Sequence, residues 1–366
     1  MTPAESPSAP RSVRGAVRGP YDITRNELGH QLADQPAYRT GQVWQALYEQ
    51  GLRPEEMTTL PKTVRERLDS ALPAALRTVT ESVSEDGQTV KWLSATADAA
   101  AIETVLMLYP DRATVCVSSQ AGCAMNCSFC ATGQAGFRRH LSTGEILEQV
   151  AKARRRAAPR RLSNIVFMGM GEPLANYDRV WAAVERIHTD MGISARHITI
   201  STVGVIAGIR RLSRESLPVN LAVSLHAAND QLRNQLVPLN RRHPLDELVE
   251  ACRQYLTAKN RRLSFEWALI SGVNDRPADA RELATIAVPL GAHVNLIPLN
   301  PTPGYAVRGT DKTGVRLFRE ELNRLGVNAT VRRNRGTDID AACGQLAGSS
   351  TVLMSPTRVS SEAVPD

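Results

Sequence analysis

The feature that most restricts the fold is an alternation of short apolar segments with helical patterns, which begins near Thr114. The candidate strands are Thr114–Ser118, Asn164–Gly169, His197–Thr202, Asn220–His226, Leu263–Ile270, His293–Pro298 and Asn328–Arg332. The candidate helices are Thr143–Arg156, Tyr177–Met191, Val205–Ser213, Leu245–Lys259, Ala278–Val288 and Lys312–Leu325, with a last one near Ile339–Leu346. Such alternation indicates parallel strands joined by crossover helices. About six repeats predict either a doubly wound sheet or an incomplete (β/α) barrel.

The segments outside this alternation have different patterns. Residues 1–19 are rich in Pro, Ser and Arg, which predicts a disordered arm. Residues 20–76 have apolar positions at helical spacing and predict a small N-terminal helical domain, either a packing element or an RNA-binding one. Residues 77–112 change to a period of two around an Asp-Gly turn and predict a short antiparallel β linker. The core is then 113–348, and 349–366 is expected to be a flexible tail.

The composition favours a cytoplasmic protein with a polyanionic partner. Of the 366 residues, 42% are hydrophobic, and no apolar run approaches the ~18 residues that span a membrane. The N-terminus lacks the apolar stretch of a signal peptide. The formal net charge is +7, and many arginines occur in pairs, which favours binding to phosphate groups of RNA or DNA. Aromatic residues make up only 4%, which argues against a base-stacking sheet.

Three of the six cysteines form a compact motif, Cys123, Cys127 and Cys130, in the loop after the first strand of the alternation. In a cytosolic chain such cysteines indicate metal or redox chemistry rather than a disulfide framework. A structural zinc site uses four closed ligands, whereas three thiolates leave one position open for chemistry. Spacing alone leaves two possibilities: a 4Fe–4S cluster with one free iron, or a zinc site completed by His140 or Cys116.

Polar residues also follow the later strands, where chemistry is located in parallel α/β folds. The turn Gly169-Met170-Gly171-Glu172-Pro173 follows the second strand; its glycines allow a ligand to approach the backbone, and its carboxylate can pair with an ammonium group. Further polar groups end the next strands: Ser201, the segment Ser224, Leu225 and His226, and Asn300. Together these residues predict a pocket for a polar cofactor beside the cysteines.

The combination resembles the radical S-adenosylmethionine (radical SAM) superfamily, and more closely the RlmN/Cfr family of RNA adenine methyltransferases. The matching motifs are Cys116–Cys123, Phe129–Gly133, Met168–Leu174 and Ile339–Leu346, and the resemblance covers about residues 20–348. It implies an incomplete (β/α)6 TIM-like radical SAM barrel that holds a 4Fe–4S cluster on Cys123, Cys127 and Cys130. S-adenosyl-L-methionine (SAM) would chelate the free iron and contact Gly171, Glu172, Ser201, Ser224, Leu225, His226 and Asn300.

The resemblance also implies roles for residues distant in sequence. Cys343 would take a methyl group from one SAM, and a radical made from a second SAM would activate that methyl group for addition to adenine. Cys116 would then release the RNA by forming a transient disulfide with Cys343, and Glu103 would accept the ring proton. Cys252 matches no step and is expected to be a buried small hydrophobe.

The implied activity is methylation of adenine C2 in 23S ribosomal RNA and in transfer RNA. The resemblance also implies an electron-donating reductant, flavodoxin- or ferredoxin-like, and a monomeric protein. No membrane partner is expected. Two alternatives remain open. A Cfr-type enzyme would use the same cysteines to methylate C8. A non-catalytic zinc protein that binds RNA would leave Cys116, Cys343 and the strand-end pocket unexplained.

Overall fold

The computed structural model describes residues 18–300, 308–332, 335–342 and 344–346. The predicted arm and tail therefore lie almost entirely outside the described residues. The N-terminal helices are α1 Arg25–Gln31, α2 Tyr38–Gln45 and α3 Lys62–Ala71. A capping box starts α1, since the Thr24 hydroxyl accepts from the Glu27 N–H and the Glu27 carboxylate accepts from the Thr24 N–H.

One large sheet organises the rest of the described chain. Its antiparallel strands are β1 Leu76–Val83, β2 Thr89–Thr96 and β3 Ala101–Leu108, followed by β4 Ala113–Cys116. A small hairpin follows, with β5 Gln120–Gly122 and β6 Phe137–His140. The remaining strands are β7 Leu162–Phe167, β8 Ile198–Thr202, β9 Asn220–Ser224, β10 Leu263–Leu269, β11 His293–Pro298 and β12 Ala329–Val331. The sheet order is β1-β2-β3-β4-β7-β8-β9-β10-β11-β12.

Helices connect the parallel strands. They are α4 Ala131–Gln134, α5 Thr143–Ala157, α6 Tyr177–Thr189, α7 Ile206–Leu212, α8 Asp230–Leu236, α9 Leu245–Lys259, α10 Pro277–Ala287 and α11 Lys312–Arg324. In the large sheet, β4 and β7 to β12 all pair in parallel and follow chain order without a reversal. A doubly wound sheet reverses its strand order, whereas a barrel does not. The described strands form an open ladder with β1 and β12 at its edges, so the predicted incomplete barrel is confirmed.

The predicted last helix near Ile339–Leu346 is wrong. The described residues there form only a short 3-10 turn, Thr337–Ile339, and the backbone is left-handed at Asp340 and Gly344. The reason lies in the hydrogen bonding, because the Gly344 carbonyl accepts from the Ala131 N–H at 2.9 Å. The Leu346 carbonyl likewise accepts from the Thr132 hydroxyl. These carbonyls serve the cysteine loop rather than a helix.

The N-terminal helices and the sheet share one continuous hydrophobic core, which includes Leu28, Val43 and Trp267. The contact is also polar, since Arg186 on α6 donates to the carbonyl oxygens of Tyr21 and Ile23. In the part of the chain that the structure describes, no helix combines the length and apolar character needed to cross a membrane.

Candidate active site

The Cys123, Cys127 and Cys130 side chains lie on the loop that joins β5 to β6. The Cys123 N–H donates to the Gly136 carbonyl at 2.8 Å and closes the base of this loop. Gly122 is left-handed, and a Cβ there would lie 1.9 Å from the same carbonyl oxygen, so only glycine fits. The Cys130 N–H donates to the Cys127 carbonyl at 3.2 Å, and α4 begins at the next residue. Backbone hydrogen bonds therefore fix the loop that carries the three thiols.

Burial disfavours the thiolate form of Cys123 and Cys127 in the absence of a positive charge. It is the main reason that the pKa of Cys123 rises to about 12, and it raises the pKa of the more deeply buried Cys127 as well. The positive charge of Arg233 lowers the pKa of Cys127 in opposition to burial. Arg233 is itself buried and donates to the carbonyls of Val203 and Leu225. A metal centre would supply the charge that stabilises these thiolates.

The loop fits the cluster that the resemblance implies. A 4Fe–4S cluster held by Cys123, Cys127 and Cys130 is negatively charged, and buried Arg233 interacts electrostatically with Cys127. Among the described residues, no three His, Cys, Asp or Glu side chains converge so as to share one metal ion. A cluster does not require such convergence, because each cysteine binds a different iron atom.

A cavity of about 160 Å³ lies beside the loop, at the C-terminal ends of the parallel strands. Cys127 and Cys130 line it from the loop, and Gly171 and Glu172 line it from the turn after β7. Successive strands add Ser201, Ser224, Glu266 and Ile297. Much of the remaining wall is apolar, with Phe129, Phe167, Ala268, Leu299 and Leu346. The cavity therefore combines an apolar lining with a few polar groups, as small-molecule sites do.

The two glycines of the turn after β7 allow close packing. A Cβ on Gly169 would lie 2.7 Å from the Val117 carbonyl oxygen. Gly171 has φ +99°, and a Cβ there would lie 2.5 Å from the Gln120 Cβ. The Gln120 side chain also accepts from the Glu172 N–H at 2.8 Å. The turn is thus held against the cysteine hairpin, and its backbone is accessible from the cavity.

Glu172 is buried, and both its carboxylate oxygens already accept backbone N–H groups. The donors are Leu174 at 3.0 Å and Val203 at 2.8 Å. Burial raises the pKa of Glu172 to about 7, although these hydrogen bonds oppose the shift. We predicted that this carboxylate pairs with an ammonium group. A carboxylate oxygen can accept more than one hydrogen bond, and Glu172 lines the cavity.

His226 contributes a neutral ring to the cavity. The Ala268 N–H donates to His226 Nδ1 at 3.0 Å, so the ring proton is on Nε2. Burial lowers the pKa of His226 to about 3, which keeps the ring uncharged. Its edge packs on Phe129 with the ring centroids 4.6 Å apart. His226 is left-handed, with φ +58°, because the chain turns sharply out of β9 there.

A second cavity of about 170 Å³ contains the predicted resolving cysteine, Cys116. Cys116 ends β4, between Val105 of β3 and Val166 of β7. Cys343 lies outside the described residues, but Ala342 lines this second cavity and Gly344 lines the first. The remaining lining residues are Met107, Tyr109, Met168, Arg332, Arg335, Ala341 and Leu346.

The two cavities share one wall, formed by Met168, Arg332 and Leu346. The Arg332 guanidinium contacts the Met168 sulfur at 3.7 Å. A group at this wall is therefore accessible from both the cysteine loop and the Cys116 side. The second cavity is also basic and aromatic, because the Arg335 guanidinium stacks on the Tyr109 ring 4.3 Å from its centroid.

Glu103 lies on β3, and its side chain is buried. It shares a strand face with Val105, the pairing partner of Cys116, because side chains alternate along a strand. One carboxylate oxygen lies 3.6 Å from the Lys91 ammonium. Glu103 is not among the residues that line either cavity.

The structure brings together most of the residues predicted to bind SAM. Gly171, Glu172, Ser201, Ser224 and His226 line the first cavity, whereas Leu225 and Asn300 are buried but are not among its lining residues. Cys252 is fully buried in the core, as predicted.

The sequence interpretation missed Glu266, which also lines the first cavity. The signal was a carboxylate inside a mostly apolar strand whose residues are all buried.

Comparison with known proteins agrees with this geometry. The model of the radical SAM superfamily matches residues 117–284. The probable dual-specificity RNA methyltransferase RlmN of Chloroflexus aurantiacus is 47% identical over 91% of this chain and 93% of that protein. The protein of the same name from Parafrankia sp. is 48% identical over 94% of this chain and 96% of that protein.

A solved structure gives the same result. The crystal structure of a radical SAM methyltransferase from Sphaerobacter thermophilus is 50% identical in sequence and superposes with a TM-score of 0.87. It covers 91% of this chain and 100% of the solved chain. The extent of these matches, together with the cysteine loop and its cavity, shows that the chain belongs to the RlmN family of radical SAM methyltransferases.

Proposed function

We propose that this protein methylates C2 of a specific adenine in 23S ribosomal RNA and of adenine in transfer RNA, with SAM as the source of both methyl group and radical. The observation that carries the proposal is the wall shared by the two cavities. One cavity is lined by Cys127 and Cys130, and the other by Cys116 and by Ala342, the neighbour of Cys343. This arrangement supports radical generation on one side of the wall and carbon transfer on the other.

The first cavity suits SAM. Its apolar wall matches the adenine ring, and its serines, His226 and the Gly171 backbone can meet the polar atoms of ribose and methionine. When bound, a 4Fe–4S cluster supplies the electron that cleaves SAM to methionine and a 5′-deoxyadenosyl radical. Cys123, Cys127 and Cys130 are the residues that would hold it. The surrounding apolar side chains keep solvent out of the site, which limits side reactions of reactive intermediates.

The cysteine pair supplies the rest of the chemistry. C2 of adenine is not nucleophilic, so Cys343 first takes the methyl group of one SAM as a thiolate and releases S-adenosylhomocysteine. The S-methyl group gives up a hydrogen atom to the radical from a second SAM, and its carbon bonds to C2. The adduct then gives up one electron, the number that SAM cleavage used, to the oxidised cluster when that is bound. The adduct also gives up its ring proton, for which we propose Glu103 as acceptor.

Release of the RNA requires Cys116. Its thiolate attacks the Cys343 sulfur, the carbon–sulfur bond breaks, and the methyl carbon takes up a proton. The resulting disulfide is reduced by a thiol reductant before the next turnover. The target adenine must leave its stack to reach the buried Cys116. Tyr109 and Arg335 in the second cavity provide a stacking surface and a positive charge for that nucleotide.

Nucleoside mass spectrometry of ribosomal and transfer RNA tests the proposal in cells with and without the protein. We expect 2-methyladenosine in both RNA classes only when the protein is present. Protein-dependent 8-methyladenosine would replace the C2 assignment with C8, and no change in either nucleoside would refute methylation of these RNAs.

A single-turnover gel assay tests the roles of the cysteines. Cys116→Ala should accumulate a covalent protein–RNA adduct, because nothing attacks the Cys343 sulfur, whereas Cys343→Ala should form none. Cys252→Ala is the matched control, since Cys252 is buried in the core and lines neither cavity, and it should turn over without adduct. Equal, adduct-free inactivity of the first two variants would contradict the assigned roles.

A further inference from the structure

Glu266 is a carboxylate in the middle of β10, a strand whose residues are all buried. Only 3% of its surface is exposed, and it lines the first cavity. A buried carboxylate destabilises the folded protein unless hydrogen-bond donors or positive charges contact its oxygens. We therefore expect both oxygens of Glu266 to have such partners in the working protein.

Only one of the two Glu266 oxygens has such a contact. Oε1 accepts from the Ser264 hydroxyl at 3.1 Å and from the Asn295 amide at 2.8 Å. Oε2 is buried and has no hydrogen-bond partner. Because the side chain lines the cavity, an occupant of the cavity can supply the missing donor.

The neighbouring strands hold Glu266 in place. Its register partners are Ser224 on β9 and Asn295 on β11, and Asn295 pairs in turn with Thr330 on β12. The Asn295 amide oxygen accepts from the Thr330 hydroxyl at 3.1 Å, which turns the amide NH2 group toward Glu266. The unpartnered oxygen is therefore positioned before any ligand arrives.

The hydrogen-bonding capacity of Oε2 indicates which ligand groups it can bind. A carboxylate oxygen accepts hydrogen bonds through two lone pairs, and it therefore suits two hydroxyl groups on adjacent carbons. In SAM that pair is the ribose 2′- and 3′-hydroxyls. The adenine ring suits the apolar Phe167, Ile297 and Leu299 instead, and the amino-acid end belongs near the cysteines, on the side of Gly171.

We propose that Glu266 accepts hydrogen bonds from the ribose hydroxyls of SAM and so fixes the sugar of the cofactor. The inference rests on the proposed function, because it requires SAM in the first cavity. Glu266 then acts as a specificity-determining and positioning residue: it selects ribose over deoxyribose ligands and orients the 5′ carbon toward the cysteine loop.

The test compares the binding of three ligands to the anaerobically reconstituted holoenzyme of the wild type and of each variant. Equilibrium dialysis measures the Kd of S-adenosylhomocysteine, which is not cleaved, and of its 2′-deoxy and 3′-deoxy analogues. The wild-type protein should prefer the ribose ligand by roughly 10- to 100-fold, the range expected for a hydrogen bond to a charged group. Glu266→Ala should bind all three with similar affinity, and Glu266→Gln, which keeps the side-chain volume, should have a reduced preference.

The matched control is Glu148→Gln, which removes a carboxylate on α5 that does not line the cavity and should keep the wild-type preference. Iron content and the cluster absorption band confirm that each variant is loaded. If the Glu266 variants weaken all ligands by one common factor, or keep the wild-type preference, the residue is structural and the inference is wrong. Another contrary result is that the Glu266 variants lose the preference for S-adenosylhomocysteine over S-inosylhomocysteine, which differ at the adenine amino group. Glu266 would then recognise the base rather than the ribose, and the inference would be wrong.

Failure of the inference is distinguishable from failure of the proposed function. A wild-type protein that binds ribose and deoxyribose ligands equally would refute the role of Glu266 alone. A wild-type holoenzyme that binds none of them would refute the SAM site itself.

Discussion

Glu148 on α5 links the N-terminal helical segment to the sheet and should make stability depend on pH. Its two carboxylate oxygens accept from the backbone N–H groups of Ala75 and Leu76, at 2.9 and 3.2 Å, where β1 begins. Burial is the largest cause that raises the pKa of Glu148, from 4.5 to about 7, and the two hydrogen bonds oppose it. The perturbation is Glu148→Gln, which keeps the shape and removes the titration.

The sign follows from proton binding. Between pH 4.5 and 7 the folded protein keeps the Glu148 proton while the unfolded chain has lost it, so stability falls as pH rises through this range. The pKa of Glu148 rises by about 2.5 units, and each unit corresponds to about 1.36 kcal/mol. Deprotonation therefore lowers the free energy of unfolding by an upper bound of about 3 kcal/mol. Partial exposure of the side chain reduces this value. For a cooperative unit of 366 residues, an unfolding entropy of about 2.1 cal/mol/K per residue converts it to roughly 4 °C in Tm.

Scanning calorimetry at pH 5 and pH 8, under anaerobic conditions, measures the effect. The wild-type Tm should fall between the two values by up to about 4 °C more than the Glu148→Gln Tm does. Glu66→Gln on the exposed surface of α3 is the control and should follow the wild type. Equal pH dependence of wild type and Glu148→Gln would show that the buried carboxyl does not titrate as argued.

Two further changes test the cavities. Gly171→Ala should weaken S-adenosylhomocysteine binding by roughly 10-fold or more in equilibrium dialysis, because the new Cβ displaces Gln120 and strains a left-handed backbone; unchanged binding would show that the turn adapts. Arg335→Ala should weaken RNA binding and lower the slope of log K against log salt by about 1. Arg335→Lys should keep the slope but lose the stacking on Tyr109 and the guanidinium hydrogen bonds to Gln88 and Leu108. An unchanged slope in Arg335→Ala would place the RNA phosphates elsewhere.

Much of the fold was predictable because its signals are local. The period of apolar residues defined the parallel strands and their helices, and several predicted bounds, such as Leu245–Lys259 and His293–Pro298, coincide with the structure. The glycine turn at Gly171 was likewise predicted from residues that are adjacent in sequence. The predicted helix near Ile339–Leu346 failed because its carbonyls bond to residues more than two hundred positions earlier, which no local pattern records.

The site was less predictable where it depends on the register between strands. Glu266 is an isolated carboxylate in sequence, and its function emerges only from its pairing with Ser224 and Asn295. Arg332 and Met168 form the wall between the cavities, yet they are separated by most of the barrel sequence. Cavities depend on which residues face each other across the fold, and periodicity carries no such information.

The open ladder has a consequence for the size of the substrate. The second cavity lies between β3 and β4 on one side, through Val105 and Cys116, and the end of β12 on the other, through Arg332. The described sheet stays open, because its edge strands β1 and β12 are not neighbours in it, whereas a complete eight-stranded barrel closes. A closed barrel accepts what fits through its mouth, but a barrel with a lateral slit can admit one base from a polymer that stays outside. We therefore expect the open sheet to let this fold act on one base of an RNA that stays outside the barrel.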